Sequence, residues 1–308
     1  MSDVPCAASW RLTGEKLRKE LPAIRAQPER ESKFVKALLL LPICLGLVGC
    51  STVALKSTEP TESHARASPV LRVATYNTFV GAGDLAETAA VIRRMNADVI
   101  ALQEVLPGRA TILSRALSRD YRYRYFKGGL GIMSRFPMRK VHFERSRRGI
   151  NGFLFTEIER AYAPVQIVNL HLDPLRTWTI GQKLTLPLQL RRQRDIHRDE
   201  LAQVFKNLRP GLPTILLGDF NRASDTAINR LRELGFIDSF SVVTPKADRV
   251  PTLHFSILGF RSGRRVDFIF HSSAFRTIRS TVFRGQPSDH DALASALSLG
   301  ENTELTEP

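Results

Sequence analysis

Beyond residue 50 the sequence has no cysteine; its three are Cys6, Cys44 and Cys50. A disulfide framework and a cysteine-ligated zinc site are therefore excluded from the body of the protein. Acidic side chains are scarce: 30 Asp and Glu face 45 Lys and Arg, giving a formal net charge of +15. Only 8 of those basic and 5 of those acidic residues lie in the first 50 positions, so most of the excess belongs to the rest of the chain. Such a balance favours polyanions or anionic membrane surfaces as partners, with a simply basic protein as the equal alternative, and says nothing about fold. Long apolar runs are also missing. The one extended run, Ala37 to Val48, falls short of the roughly 20 residues that span a bilayer.

That run follows Lys33 and Lys36 and closes on Leu47-Val48-Gly49-Cys50. Positive charge, a short apolar stretch and then small residues is the layout of a secretory signal; the alternative is a buried helix ending in an ordinary cysteine. The closing quartet resembles the lipobox of bacterial lipoproteins. The resemblance implies cleavage before Cys50, lipidation of its thiol and, with Ser51 following, an outer-membrane lipoprotein of the bacterial cell envelope. Residues 1–49 thus read as an N-terminal extension and lipoprotein signal peptide. Residues 50–69 read as the lipidated Cys50 and a polar flexible tether containing Pro60 and Pro69. Residues 70–299 read as one domain and 300–308 as a disordered tail.

Within the domain, β-branched and apolar stretches predict strands over 70–76, 98–104, 129–134, 152–159, 165–172, 213–219, 265–271 and 277–283. Helical spacing predicts helices over Asp84 to Asn96 and over Gln189 to Leu208, the latter with Leu201, Val204, Phe205 and Leu208 on one stripe. A shorter helix is expected over 224–235, with Gly235 as its C-terminal cap. Strands outnumber helices, and several succeed one another without a helix between. That pattern fits an α+β sandwich of two packed sheets with helices outside, rather than a doubly wound parallel sheet.

The residues that can carry chemistry sit at the ends of apolar runs: Asn77, Glu104, Asn169 with His171, Asp219 with Asn221, Asp267, and the pair Asp289–His290. Each alone is explained by a turn, a cap or a hydrogen-bonded core group. Together they point to strand ends aiming side chains into one cleft. In "ILLGDFN", alternation along a strand should turn Asp219 and Asn221 into that cleft and Phe220 away from it. Carboxylates and amides without cysteine suit magnesium or manganese rather than zinc. Histidines can stabilise charge or move a proton, and an aspartate can activate water. The combination describes metal-assisted hydrolysis of a phosphate ester.

The order Asn77, Gln103-Glu104, "GGLGIMSRFP", "NLHLD", "GDFN", "VDFIF" and "SDH" resembles the endonuclease/exonuclease/phosphatase (deoxyribonuclease I-like) superfamily over about residues 70–299. The resemblance implies a four-layer sandwich of two packed mixed β-sheets flanked by helices. It implies Mg2+ (or Mn2+) held by Glu104, with Asn77 near both metal and scissile phosphate and Asp289 beside the metal. His171 would stabilise the phosphorane-like transition state, Asp219 would position or deprotonate the attacking water, and Asn221 would support it. His290, held by Asp267, would complete the site. Where the family places a carboxylate behind the other histidine, Glu157 is the candidate here.

Substrate is open at this level. Tyr121 to Lys127 alternates aromatic and basic residues; this is a strand with an aromatic and a basic face, or a stacking platform for nucleic acid. Residues 176–194 and 257–265 mix apolar and basic side chains that suit lipid, an anionic substrate, or cover for the core. The first expectation is a metal-dependent phosphodiesterase, nuclease-like in its simplest form and held at the membrane through lipidated Cys50. The second is an enzyme of the same fold acting on phospholipid or sphingomyelin head groups. The third, a catalytically inactive binding protein, is disfavoured by the intact residue set.

Overall fold

Strand β1, Val70–Asn77, sorts its side chains onto two faces: Leu71 and Val73 enter one buried cluster, Ala74 and Tyr76 another. In the computed structural model the described residues are 70–79, 84–160, 163–176, 180–222, 224–257, 260–284 and 287–300. The expected signal peptide, Cys50, the tether and residues 301–308 lie outside them.

Helix α1, Leu85–Met95, starts on Asp84, whose carboxylate accepts the backbone N–H groups of Ala86 and Glu87 at 2.7 and 3.2 Å. It ends on Asn96 in a left-handed conformation, and its apolar stripe lays Ala89, Ile92 and Met95 on the first sheet. The chain then forms β2 (Val99–Gln103), α2 (Pro107–Ala116), β3 (Tyr123–Lys127), β4 (Leu130–Ser134), β5 (Met138–Arg145), β6 (Gly152–Ile158) and β7 (Val165–His171). There follow α3 (Ile180–Leu184), α4 (Leu186–Asn207), β8 (Thr214–Asp219), α5 (Thr226–Glu233) and β9 (Ile237–Asp238). The last strands are β10 (Leu253–Ile257), β11 (Phe260–Arg264), β12 (Asp267–His271), β13 (Phe275–Phe283) and β14 (Ala292–Leu299).

Two six-stranded sheets result, in the orders β13-β14-β1-β2-β4-β3 and β5-β6-β7-β8-β12-β9, with β10 and β11 forming a separate ribbon. Both sheets are mixed: β1 runs parallel to β2 and β7 to β8, while the other neighbours are antiparallel. Leu71, Val73, Val99 and Ile132 of the first sheet meet Ile167, Ile215, Leu217 and Ile269 of the second in the central core. Outer cores lie between the first sheet and α1 with α2, and between the second sheet and α4 with α5. This is the four-layer α+β sandwich expected from the strand-rich pattern.

Three kinds of element escaped the sequence pattern. Helix α2 starts on Pro107 with no side-chain cap and buries only Ala110 and Leu113. Strand β5 is an edge, half-exposed and charged, so it lacks the apolar alternation of an inner strand. The β10–β11 ribbon leaves Phe260 78 % exposed. The expected helix from Gln189 begins earlier, at Leu186, with Pro187 in its first turn, where a missing N–H costs nothing.

Candidate active site

Register explains why distant residues converge. In parallel β7–β8 pairing His171 lies beside Asp219, and in antiparallel β8–β12 pairing Asp219 lies beside Asp267. The three therefore share a row and a face, and alternation assigns that face to the central core, along with Leu217 and Ile269. From the opposite sheet Asn77 ends β1 on the corresponding face, beside Gln103 of β2. The site thus occupies the mouth of the space between the sheets. Beneath it lies a buried polar floor. Gln103 Nε2 donates to Asn169 Oδ1 at 2.7 Å, and Asn169 Nδ2 donates to the carbonyls of Leu102 and Gly131, each at 2.9 Å. These cross-sheet bonds set the separation of the two strand bundles.

Asp219 is held from several sides. Asn77 Nδ2 donates to Asp219 Oδ2 at 3.0 Å and to Glu104 Oε1 at 3.1 Å. The backbone N–H of Asn221 donates to Asp219 Oδ1 at 2.8 Å. His171 Nε2 lies 3.6 Å and His290 Nε2 3.8 Å from Asp219 Oδ2. The alternation expected for "GDFN" holds only in part. Phe220 does pack away, edge-on to Phe268, but β8 stops at Asp219 and Asn221 adopts a left-handed conformation, φ 44°. Its amide nitrogen turns to the Leu172 carbonyl at 2.9 Å, so it braces the loop after β7 instead of lining the cleft from a strand. Glu104 also sits just past its strand with φ 58°, a turn that redirects the carboxylate from the sheet.

The two histidines differ in charge state. Burial holds the His171 ring below its ordinary range despite the nearby Asp219 and Glu104, so it is neutral near pH 7. Burial alone would lower His290 too, but Asp267, Asp219 and Asp289 outweigh it and hold the ring up at about 10. His290 Nδ1–H donates to Asp267 Oδ2 at 2.9 Å. Burial pushes the Asp267 carboxyl up to about 6, with His290 pulling it back, so near neutrality the pair is carboxylate and imidazolium. Ser288 ties this pair to β1: its Oγ donates to the Asn77 carbonyl at 2.8 Å and accepts the His290 N–H at 3.0 Å.

Among the described residues, two places could hold a cation. Asp219, Asp267 and His290 bring ligand atoms within 4.8 Å of one another, but an imidazolium has no lone pair to offer. Glu104 and Asp289 fit better. Both are half-buried; burial raises the Asp289 carboxyl against the pull of His290, and the Glu104 charge raises it further. Two mutually repelling oxygen donors at an open mouth suit a hard divalent ion. Asn77, also expected at the metal, turns its nitrogen, not its oxygen, toward Glu104; its oxygen accepts the Phe79 N–H at 3.0 Å. Through that nitrogen it orients the carboxylate.

Glu157 is not behind His171. It pairs with Arg209 at 2.7 Å and Lys140 at 3.4 Å, opposite Gln166 at the far end of β7. The additional carboxylate whose charge reaches His171 is Asp173, already present in "NLHLD". It is buried and accepts Arg176 Nη2 and the Ile150 N–H, each at 3.0 Å. Thr252, whose hydroxyl accepts the Val266 and Asp267 N–H groups, each at 3.0 Å, gives no pattern in the sequence, and Gln103 and Ser288 stand there only as members of "Gln103-Glu104" and "SDH", with no role attached. In β3, Arg124 Nε donates to Ser114 Oγ of α2 at 3.0 Å, so this basic side chain serves the strand's own packing.

A sequence model described as the Endonuclease/Exonuclease/phosphatase family matches residues 74–290. Among curated proteins none matches the sequence. Among solved structures the chain is similar to the endonuclease/exonuclease/phosphatase from Beutenbergia cavernae DSM 12333, at 20 % identity over 75 % of this chain and 72 % of that one, TM-score 0.61. It is also similar to D. rerio TDP2 complexed with a single-strand DNA product, at 17 % identity over 74 % and 99 %, TM-score 0.60. Sphingomyelinase C from Streptomyces griseocarneus matches at 15 % identity over 74 % and 99 %, TM-score 0.54. At such identities the likeness is one of fold.

Proposed function

The chain belongs to the endonuclease/exonuclease/phosphatase family, and from that premise we propose that it is a divalent-metal-dependent phosphodiester hydrolase, nuclease-like in its simplest form. The observation that carries this reading is the setting of Asp219: a carboxylate between a neutral and a cationic histidine, beside the acid pair Glu104 and Asp289.

Asp219, fixed by Asn77 and the Asn221 N–H, orients a water and takes its proton as the water oxygen bonds to phosphorus, while the ester P–O bond on the far side breaks and the departing oxygen leaves as the alcohol, protonated from solvent. The His290 imidazolium and the neutral His171 ring bear on the negative charge that gathers on the phosphoryl oxygens. Asn77 and Asn221 hold the carboxylates and loops against which the phosphate binds. Asp267 keeps His290 protonated and fixes its ring. Glu104 and Asp289 would hold Mg2+ or Mn2+, which when bound supplies electrophilic stabilisation of a phosphoryl oxygen.

A nucleic-acid substrate is favoured by the net charge of +15 and by the fold shared with TDP2 bound to its DNA product. A phospholipid head group is the second reading, supported by the 80 % exposed Leu184, the 62 % exposed Leu188 and Phe260. We also propose, on the lipobox resemblance alone, that Cys50 is lipidated and tethers the domain to the outer membrane. The test is hydrolysis of bis(p-nitrophenyl) phosphate, plasmid DNA, sphingomyelin and lysophospholipid in parallel, with magnesium or manganese. Activity should vanish in EDTA and fall at least ~10²-fold in E104Q, H171A and D219N. A protein that cleaves none of the four overturns the proposal.

A further inference from the structure

Through its middle α4 turns polar side chains inward alongside the buried Ile196. Gln193, His197 and Glu200, spaced four and three apart on one side of the helix, are all buried. Their partners are the segments that leave β7 and β8. His197 Nε2 donates to the Asp173 carbonyl at 2.8 Å, and Glu200 Oε2 accepts the Asp173 N–H at 3.0 Å. Gln193 reaches both segments. Its Nε2 donates to the carbonyl of Asp173 and to that of Asn221, each at 3.0 Å. Two carbonyl acceptors leave one choice of amide orientation, and one N–H serves each.

Asp173 lies two residues beyond His171, and Asn221 two residues beyond Asp219. The two segments also touch directly, through Leu172 N–H to the Asp219 carbonyl at 3.0 Å and Asn221 Nδ2 to the Leu172 carbonyl at 2.9 Å. Gln193 fastens that joined pair to a rigid 22-residue helix. We propose that Gln193 is a positioning residue for hydrolysis, holding both strand exits so that His171 and Asp219 keep their 3.6 Å relation. This rests on the reading of His171 and Asp219 as a catalytic pair. A buried amide is an unfavourable choice for a helix face that leucine could fill, unless the carbonyls it serves must stay where they are.

The same helix carries a matched control. Gln203 Nε2 donates to Glu144 Oε1 at 2.6 Å and to the Arg145 carbonyl at 2.8 Å, and its Oε1 accepts the Arg147 N–H at 3.2 Å. It does the same chemistry for the end of β5 and the segment that follows, which carry none of the site residues. The experiment compares Q193M, Q193E and Q203M in the full chain, reading bis(p-nitrophenyl) phosphate hydrolysis, thermal midpoint and hydrogen exchange at residues 170–174 and 218–222. Q193M and Q193E should lower kcat by ~10-fold or more with KM within about twofold. Q203M, at a similar loss of thermal midpoint, should keep kcat within about twofold. Exchange should quicken at both segments together in Q193M and at neither in Q203M. Equal kcat losses in Q193M and Q203M, or unchanged exchange in Q193M, overturn the proposal. Wild-type protein without activity overturns the hydrolase reading instead, and the exchange comparison then decides the clamp by itself.

Discussion

His290 Nδ1 donates to Asp267 Oδ2 across 2.9 Å, joining the residue that opens β12 in one sheet to the loop that feeds β14 in the other. Because the Asp267 charge is the largest influence raising the His290 ring, D267N should bring that ring down from about 10 while leaving its volume and packing intact. We expect kcat to fall roughly 10–100-fold, the usual scale for losing a carboxylate that orients a functional imidazole. NMR titration of the ring against steady-state kinetics checks both halves. An unshifted ring with a large loss of kcat would rule out the electrostatic role.

Glu200 gives a pH prediction. Burial pushes its carboxyl from an ordinary 4.5 up to about 7, against the Asp173 N–H and the Ser146 hydroxyl, which favour the ionised form. Between those values the folded protein binds the extra proton, so this group's contribution to stability falls as pH rises from about 4.5 to about 7. E200Q cannot ionise and can still accept the Asp173 N–H. Its thermal midpoint relative to wild type should therefore be higher at pH 8 than at pH 5; a difference independent of pH contradicts the assignment.

Gly218 is a steric requirement. Its φ is +148°, and a Cβ there would sit 1.9 Å from the Leu170 carbonyl oxygen. The close approach of β7 and β8 at this row is what brings His171 alongside Asp219. G218A should lose about 2–5 kcal/mol, combining backbone strain with overpacking against a backbone atom. Urea unfolding measures it; a loss below about 1 kcal/mol would mean the strands part easily.

For the membrane anchor proposed at Cys50, metabolic labelling with a fatty acid should mark the wild-type chain and spare C50A, which should also leave the membrane fraction. A label that persists in C50A would remove the lipobox reading.

Much of the architecture was legible because inner strands announce themselves. "VIALQ", "VQIVNLH" and "TILLGD" are buried on both faces and read as short apolar runs. Edge and ribbon strands such as β5 and β11 were not legible, since exposure lets charge interrupt the pattern. Most of the candidate site was visible as residues at the ends of such runs, and the structure does bring Asn77, Glu104, His171, Asp219, Asp267, Asp289 and His290 to one mouth. Glu157, the candidate partner for the other histidine that stands outside the core set, lies instead at the far end of β7, since strand position alone does not say which end of the sheet a side chain occupies. The polar face of α4 went unnoticed because helical periodicity is sought among apolar residues, and Gln193, His197 and Glu200 are buried without being apolar.

By itself the sequence determined the inner strands and amphipathic helices of the sandwich and the stock of oxygen and imidazole groups at its strand ends, since alternation, helical periodicity and run lengths are local properties. Only the tertiary structure decided what those groups are to one another. Asn77 became a donor between two carboxylates because Asp219, 142 residues away, arrives on the facing sheet. His171 became neutral and His290 cationic because burial is common to both, while Asp267 lies within hydrogen-bonding reach of His290. Charge state and hydrogen-bond direction depend on distance and burial, and these exist only once the two sheets have packed.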